Sequence, residues 1–144
     1  MRLMHISDLH LGVSLYDTDI TADIEHALFS EILGRIFREV SAEKKVDGLI
    51  IAGDVFDKAQ PPACAEEIYG RLLTKAVDLG MKVFVCSGNH DDPLRLSSNE
   101  QLMSRLGIYI NRPFSKEEPL RMESFGEIDI AMLPNVTLSD VSTA

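Results

Sequence analysis

Short apolar runs alternate with longer amphipathic ones along this chain, and that alternation predicts an α/β fold. Leu3-Met4-His5-Ile6, Leu49-Ile50-Ile51-Ala52 and Val83-Phe84-Val85-Cys86 read as buried strands, each ending at a polar loop. Strands are expected over Arg2 to Ile6, Val46 to Ala52 and Lys82 to Cys86. Between the first two, apolar residues at Ile24, Leu28, Phe29, Ile32, Leu33, Ile36, Phe37 and Val40 recur at helical spacing on one face. Thr21 is expected to cap that helix and Asp23 to lie in its first turn. His26 falls off the stripe and is expected in solvent. A second helix is predicted from Pro62 to Leu79, opened by proline and stopped by Gly80, with Ile68, Leu72, Leu73 and Ala76 as its buried face. The β-α-β-α-β order implies parallel strands with right-handed crossovers.

Beyond that unit the pattern changes. Pro93 opens a third predicted helix that runs to about Leu106, where Gly107 stops it. Ile108 to Ile110 reads as a short strand, and Asn111 to Glu118 as a polar loop broken by Pro113. Leu120 to Ser124 and Ile128 to Leu133 read as a hairpin around Gly126. The expected sheet is therefore mixed, turning partly antiparallel at this edge. Ser7 to Tyr16 is expected to be loop, and Pro134 to Ala144 is polar and patternless.

Composition adds bounds. A chain of 144 residues can hold one domain with a real core, and 45% hydrophobic with 26% charged residues is ordinary for a globular protein. The formal net charge is −9, so an anionic partner must be held by local cations such as bound metal ions rather than by overall charge; the acidity also serves solubility. Cys64 and Cys86 form no CxxC pattern and read as free core thiols in a reducing compartment. No secretory signal and no membrane-length apolar run is visible, which makes the cytoplasm the expected location.

The chemistry lies in the loops after the three strands. Asp8-Leu9-His10 sets a carboxylate and an imidazole two residues apart, on one side of an extended backbone. Asp54 after Gly53 offers two oxygens, enough to bridge two ions, and Asn89 offers a neutral amide oxygen. Oxygen and imidazole donors suit manganese, iron or zinc, and the lack of thiolate argues against a purely structural zinc site. Two divalent ions, offset by Asp8, Asp54 and one hydroxide, would retain a single positive charge to meet a phosphodiester anion. His90 is expected to face the substrate rather than a metal, steadying phosphoryl oxygens or protonating the leaving alkoxide. Asp91 could orient His90 or raise its pKa. Taken singly, each piece is a common turn. Together, on the carboxyl edge of one α/β unit, where ligands bind in such sheets, they point to a metal centre. Asp57 is expected to cap the next helix or make a supporting hydrogen bond rather than ligate. Arg95 fits a phosphate contact or ordinary surface charge equally.

Ser7-Asp8-Leu9-His10-Leu11-Gly12, Gly53-Asp54-Val55-Phe56-Asp57 and Gly88-Asn89-His90-Asp91 resemble the first three motifs of the calcineurin-like metallophosphoesterases. The run from Gly88 to Leu96, the segment ending Leu106-Gly107-Ile108, and Pro61-Pro62 resemble the SbcD nuclease branch. The resemblance reaches from Met1 to about Pro134. It implies that Asp8 and His10 hold a first metal, that Asp54 bridges, that Asn89 holds the second, and that His90 acts on the scissile phosphate with Asp91 beside it. It further implies a manganese-dependent DNA nuclease, exonuclease on duplex ends and endonuclease on single strands or hairpins. The implied roles are repair and recombination, with the SMC-like ATPase SbcC as partner. A homodimer is implied through helices near 62–79 and 93–106.

The family completes its two-metal site with further histidines, including a Gly-His-x-His motif. The four histidines here are His5, His10, His26 and His90. Residues 1–134 are thus expected to be the N-terminal part of a metallophosphoesterase domain, and residues 135–144 a polar tail at a truncation point. Such a piece is expected to bind its second ion poorly and to be inactive alone. Three alternatives stay open: a phosphoesterase of small phosphodiesters or phosphoproteins, a non-catalytic dimerising or binding module, and a plain structural α/β domain.

Overall fold

The computed structural model describes residues 1–15, 18–34 and 45–142. Strands β1 (Leu3–Ile6), β4 (Gly48–Ala52), β5 (Lys82–Cys86) and β6 (Ile108–Ile110) form one sheet in the order β1-β4-β5-β6. Every neighbouring pair in it is parallel. The expected antiparallel turn at its edge is not there. The hairpin β7 (Arg121–Phe125) and β8 (Ile128–Met132) pairs only with itself, as a separate two-stranded sheet.

Alternation across the pleat decides what lies on each face. Val83, Val85, Leu49 and Ile51 are fully buried and share one core cluster with Ala65, Ile68, Leu72 and Ala76 of helix α2 (Ala63–Asp78). Ile24 and Leu28 join the same cluster from helix α1 (Thr21–His26) and the π-helical run Ala27–Leu33 that continues it. Phe84 points the other way, stacking on Tyr109 with ring centroids 5.4 Å apart and meeting Phe125 of the hairpin at 5.5 Å. Truncating a fully buried residue such as Leu72 would cost about 2–5 kcal/mol.

Helix starts and stops depart from the sequence pattern in informative ways. Ile20, not Thr21, occupies the capping position of α1, without a side-chain cap, while Asp23 lies in the first turn as expected. Ile36, Phe37 and Val40 lie outside the described residues. His26 is exposed. The predicted third helix breaks into α3 (Pro93–Leu96) and α4 (Glu100–Arg105). The Ser97 hydroxyl donates to the Pro93 carbonyl at 2.7 Å, the kind of local side-chain bond by which serine competes with helix continuation. Asp92 caps α3, accepting from the amides of Leu94 and Arg95 at 2.9 and 3.2 Å. Two short strands, β2 (Ser14–Leu15), inside the expected loop, and β3 (Thr18–Asp19), just past it, pair with each other.

The polar tail also holds a helix, α5 (Leu138–Ser142). The Asp140 carboxylate accepts from both the amide and the hydroxyl of Thr137 at 2.7 Å, a Thr-x-x-Asp version of the capping box. Buried Glu100 takes an ion pair from Arg121 and another from Arg112 at 3.1 Å, fastening α4 to β7 and to the loop after β6. Among the described residues no helix is long and apolar enough to cross a membrane.

Candidate metal centre

The loops after β1 and β4 are joined beyond the ends of their strands. Asp8, His10 and Leu11 donate their amides to the carbonyls of Gly53, Asp54 and Val55 at 3.0–3.1 Å, and Asp57 donates back to Leu11. Holding that register forces three non-glycine residues into left-handed backbone: Asp8 at φ 55°, His10 at 43° and Asp54 at 45°. Such conformations are uncommon outside glycine and concentrate at functional sites. The extended alternation expected to align Asp8 with His10 is thus replaced by two left-handed residues that achieve the same convergence.

One donor atom each from Asp8, His10 and Asp54 lies within 4.8 Å of the others. His10 Nε2 is 3.8 Å from Asp54 Oδ2. Asp8, Asp54 and Asn89 line one open cleft of about 540 Å³, whose far wall includes Leu133 and Asn135. A Cβ on Gly88 would fall 2.0 Å from Asp54 Oδ1, so only glycine lets the third loop close on this carboxylate. The oxygen and imidazole donors that Asp8, His10 and Asp54 bring together fit a hard or borderline divalent cation. Cys86 also lines the cleft, but burial raises its thiol pKa and keeps it a poor thiolate ligand.

Asp91 does not orient His90. Its carboxylate is buried and accepts from the amides of Val55 at 3.1 Å, Phe56 at 2.9 Å and Gly88 at 2.8 Å. It fastens the β4 loop to the β5 loop. His90 is oriented instead by Asp57, whose backbone carbonyl accepts from His90 Nδ1 at 2.8 Å. That bond raises the pKa of His90 above its ordinary 6.5, against the opposing effect of desolvation and with the charges of Asp54, Asp57 and Asp91. The Asp57 carboxylate lies 3.6 Å from His10 Nδ1. It caps no helix: Pro62 holds the cap position of α2, with no side-chain bond.

The sequence of residues 1–139 matches the family model "Calcineurin-like phosphoesterase". The chain belongs to that family. This phosphoesterase is 35% identical over 110 residues to the SbcD component of the nuclease SbcCD of Escherichia coli K12, covering 76% of this chain and 26% of the relative. It is 33% identical over 130 residues to the corresponding SbcCD nuclease component of Bacillus subtilis, covering 89% and 32%. It is 27% identical over 139 residues to the DNA double-strand break repair protein Mre11 of Sulfurisphaera tokodaii, covering 94% and 34%. The chain therefore spans about a quarter to a third of the length of these relatives.

Two residues that support the candidate site were not singled out from sequence. Asn111 follows β6 and is 1% exposed; its Oδ1 accepts from the Ser87 amide at 2.6 Å and its Nδ2 donates to the Ser87 hydroxyl at 3.2 Å. The Asn135 amide donates to the Ser87 carbonyl at 3.1 Å. Both fix the residue from which the Asn89 loop departs. Their signal was the same apolar-run-then-polar pattern, repeated after Ile110 and after Leu133. Arg95 is not free for phosphate: its Nε donates to Glu66 at 3.0 Å, and its terminal nitrogen bonds the same carboxylate.

Proposed function

We propose that this chain is the N-terminal part of an SbcD-like, metal-dependent DNA nuclease that hydrolyses phosphodiesters. The convergence of Asp8, His10 and Asp54 within 4.8 Å, on the edge that also carries Asn89, supports this reading most directly. Asp8 and His10 would hold one divalent ion, Asp54 would bridge, and Asn89 would hold the other, with manganese as the favoured metal. When bound, such a pair ionises a water near neutral pH and clamps the attacking and leaving oxygens. His90 is exposed, and its Nδ1–H is engaged by the Asp57 carbonyl, which leaves Nε2 unused by that bond. As imidazolium it would steady a phosphoryl oxygen or hand its Nε2 proton to the departing alkoxide. Asp91 serves as a positioning residue.

The test is calorimetric Mn2+ titration of the chain and of Asp54→Ala, with linear duplex DNA and a chromogenic small diester as parallel substrates. Binding that Asp54→Ala abolishes, with any cleavage favouring DNA, is expected. Because the chain's four histidines include none after His90, one ion is expected to bind more tightly than the other. Mn2+ binding that survives Asp54→Ala unchanged overturns the assignment, and preference for the small diester favours another phosphoesterase.

The names of the relatives support DNA as substrate, a role in double-strand break repair and an SbcC-like partner. A homodimer through the region of α2, α3 and α4 is supported by apolar side chains there: Leu94, Leu102 and Leu106 are 69%, 64% and 56% exposed. Cys64 is exposed and Cys86 half-buried, so the expected core position does not hold, while two free thiols are in keeping with work in the cytoplasm.

A further inference from the structure

We propose that His10, Asp57 and His90 form a second cation site, selective for zinc, beside the group made by Asp8, His10 and Asp54. One donor atom from each of the three lies within 4.8 Å of the others. His10 Nδ1 and Asp57 Oδ1 are 3.6 Å apart. Two ligands on one tetrahedral ion, with bonds of about 2.0–2.2 Å, stand roughly 3.3–3.6 Å from each other, so this pair needs almost no movement. The rings of His10 and His90 meet edge to face with centroids 4.9 Å apart, so the two imidazoles stand side by side at the group.

The hydrogen bonding of His90 is that of a ligand. A carbonyl only accepts, so the 2.8 Å contact with the Asp57 carbonyl puts the proton on Nδ1 and leaves the Nε2 lone pair free in the neutral ring. Metal-binding histidines are fixed in this way by a backbone carbonyl or carboxylate on the other nitrogen. The donor chemistry differs between the two groups. Two imidazoles and one carboxylate with an open fourth position make a zinc set, whereas Asp8, Asp54 and the Asn89 amide make an oxygen-rich set suited to manganese. His10 stands between them, with Nε2 toward Asp54 at 3.8 Å and Nδ1 toward Asp57; a neutral imidazole offers one lone pair, so it serves one ion at a time and serves both only by releasing its ring proton to water. Zinc at the second site would hold His90 away from a phosphate and so act as a brake on the reaction. The site needs neither DNA nor a second manganese to exist.

The experiment is competition of the chain with a chromogenic chelator for Zn2+, and calorimetry with Mn2+, on wild type, Asp57→Asn, His90→Gln and Asp8→Asn. Asp57→Asn and His90→Gln are each expected to weaken Zn2+ at least about tenfold and to change Mn2+ affinity less than about twofold. Asp8→Asn is expected to do the reverse. Zn2+ affinity that is unmoved by Asp57→Asn and His90→Gln, or lowered as much by Asp8→Asn, overturns the proposal. A wild-type chain that takes up Zn2+ through Asp57 but no Mn2+ supports the second site while failing the nuclease reading, so the two stand or fall separately. His90 is exposed and the Asp57 side chain is partly so, and neither variant removes core packing.

Discussion

The backbone amide of His90 donates to Oδ1 of Asp54 at 3.0 Å, so the third loop fixes the carboxylate that the second loop presents. The remaining oxygen, Oδ2, is left facing His10. The carboxylate is therefore oriented before any ion arrives, and preorganisation of this kind keeps the cost of binding low.

That contact depends on glycine at position 88. In Gly88→Ala the new methyl would meet Asp54 Oδ1 at 2.0 Å and the Asp54 backbone nitrogen at 2.3 Å, so that even a displaced carboxylate would leave the backbone clash in place. The expected result is a loss of stability of about 1–3 kcal/mol, as for other overpacked sites, together with Mn2+ binding at least about tenfold weaker, since one kcal/mol or more of that strain falls on a ligand. Chemical denaturation and calorimetry check the two effects.

Asp91 carries three amide bonds from two loops. Asp91→Asn keeps the shape but turns an NH2 group toward one or more of those N–H donors, leaving buried donors unpaired. A stability loss of about 2–4 kcal/mol is expected, from weakened charge-assisted bonds and unsatisfied amides. A shift of the urea midpoint without a change in slope would register it. If Asp91 acted instead on His90, stability would stay near wild type.

Glu100 links stability to pH. Burial alone would raise its pKa, but the hydrogen bonds and charges of Arg121 and Arg112 outweigh this and hold it below its ordinary 4.5. A carboxyl depressed in the folded state contributes stability that is fully present above the unfolded value and is lost as pH falls through the folded one. Unfolding free energy should therefore decline as the pH drops below about 4.5. Glu100→Gln should be less stable at neutral pH and show a shallower acid decline. Parallel denaturant curves from pH 3 to 7 would reveal whether the two proteins converge in acid.

Leu102 offers a test of self-association. At 64% exposure it contributes little to the monomer's own packing. Leu102→Glu is expected to leave the melting temperature nearly unchanged and, if two copies meet there, to shift sedimentation from dimer to monomer, since an unpaired charge in an apolar interface costs several kcal/mol. An unaltered sedimentation profile places the contact elsewhere.

Much of this molecule was legible because its polar loop residues sit at the ends of apolar strands. The limits of Lys82 to Cys86 and the buried face of Ile68, Leu72, Leu73 and Ala76 appear as the pattern predicts. So does the gathering of Asp8, His10 and Asp54. What period and composition do not encode is who receives a hydrogen bond across the fold. Asp91 adjoins His90 in sequence, and adjacency suggested that it served that ring, yet its partners lie 35 and 36 positions away as well as three. The break at Ser97 and the cap at Thr137 were visible as residue types, but a strong apolar pattern masked one and a weak pattern hid the other. The parallel register of Ile108 to Ile110 was set by tertiary pairing with β5, which a three-residue strand cannot announce.

The left-handed backbone at Asp8, His10 and Asp54 has a consequence for anyone who breeds this scaffold for heat resistance. Each of those positions holds a side chain at a conformational cost of about 1 kcal/mol that glycine would not bear. Selection on thermal survival alone should accordingly drift toward glycine at all three, and the most durable descendants would be the ones whose donor atoms had disappeared from this edge.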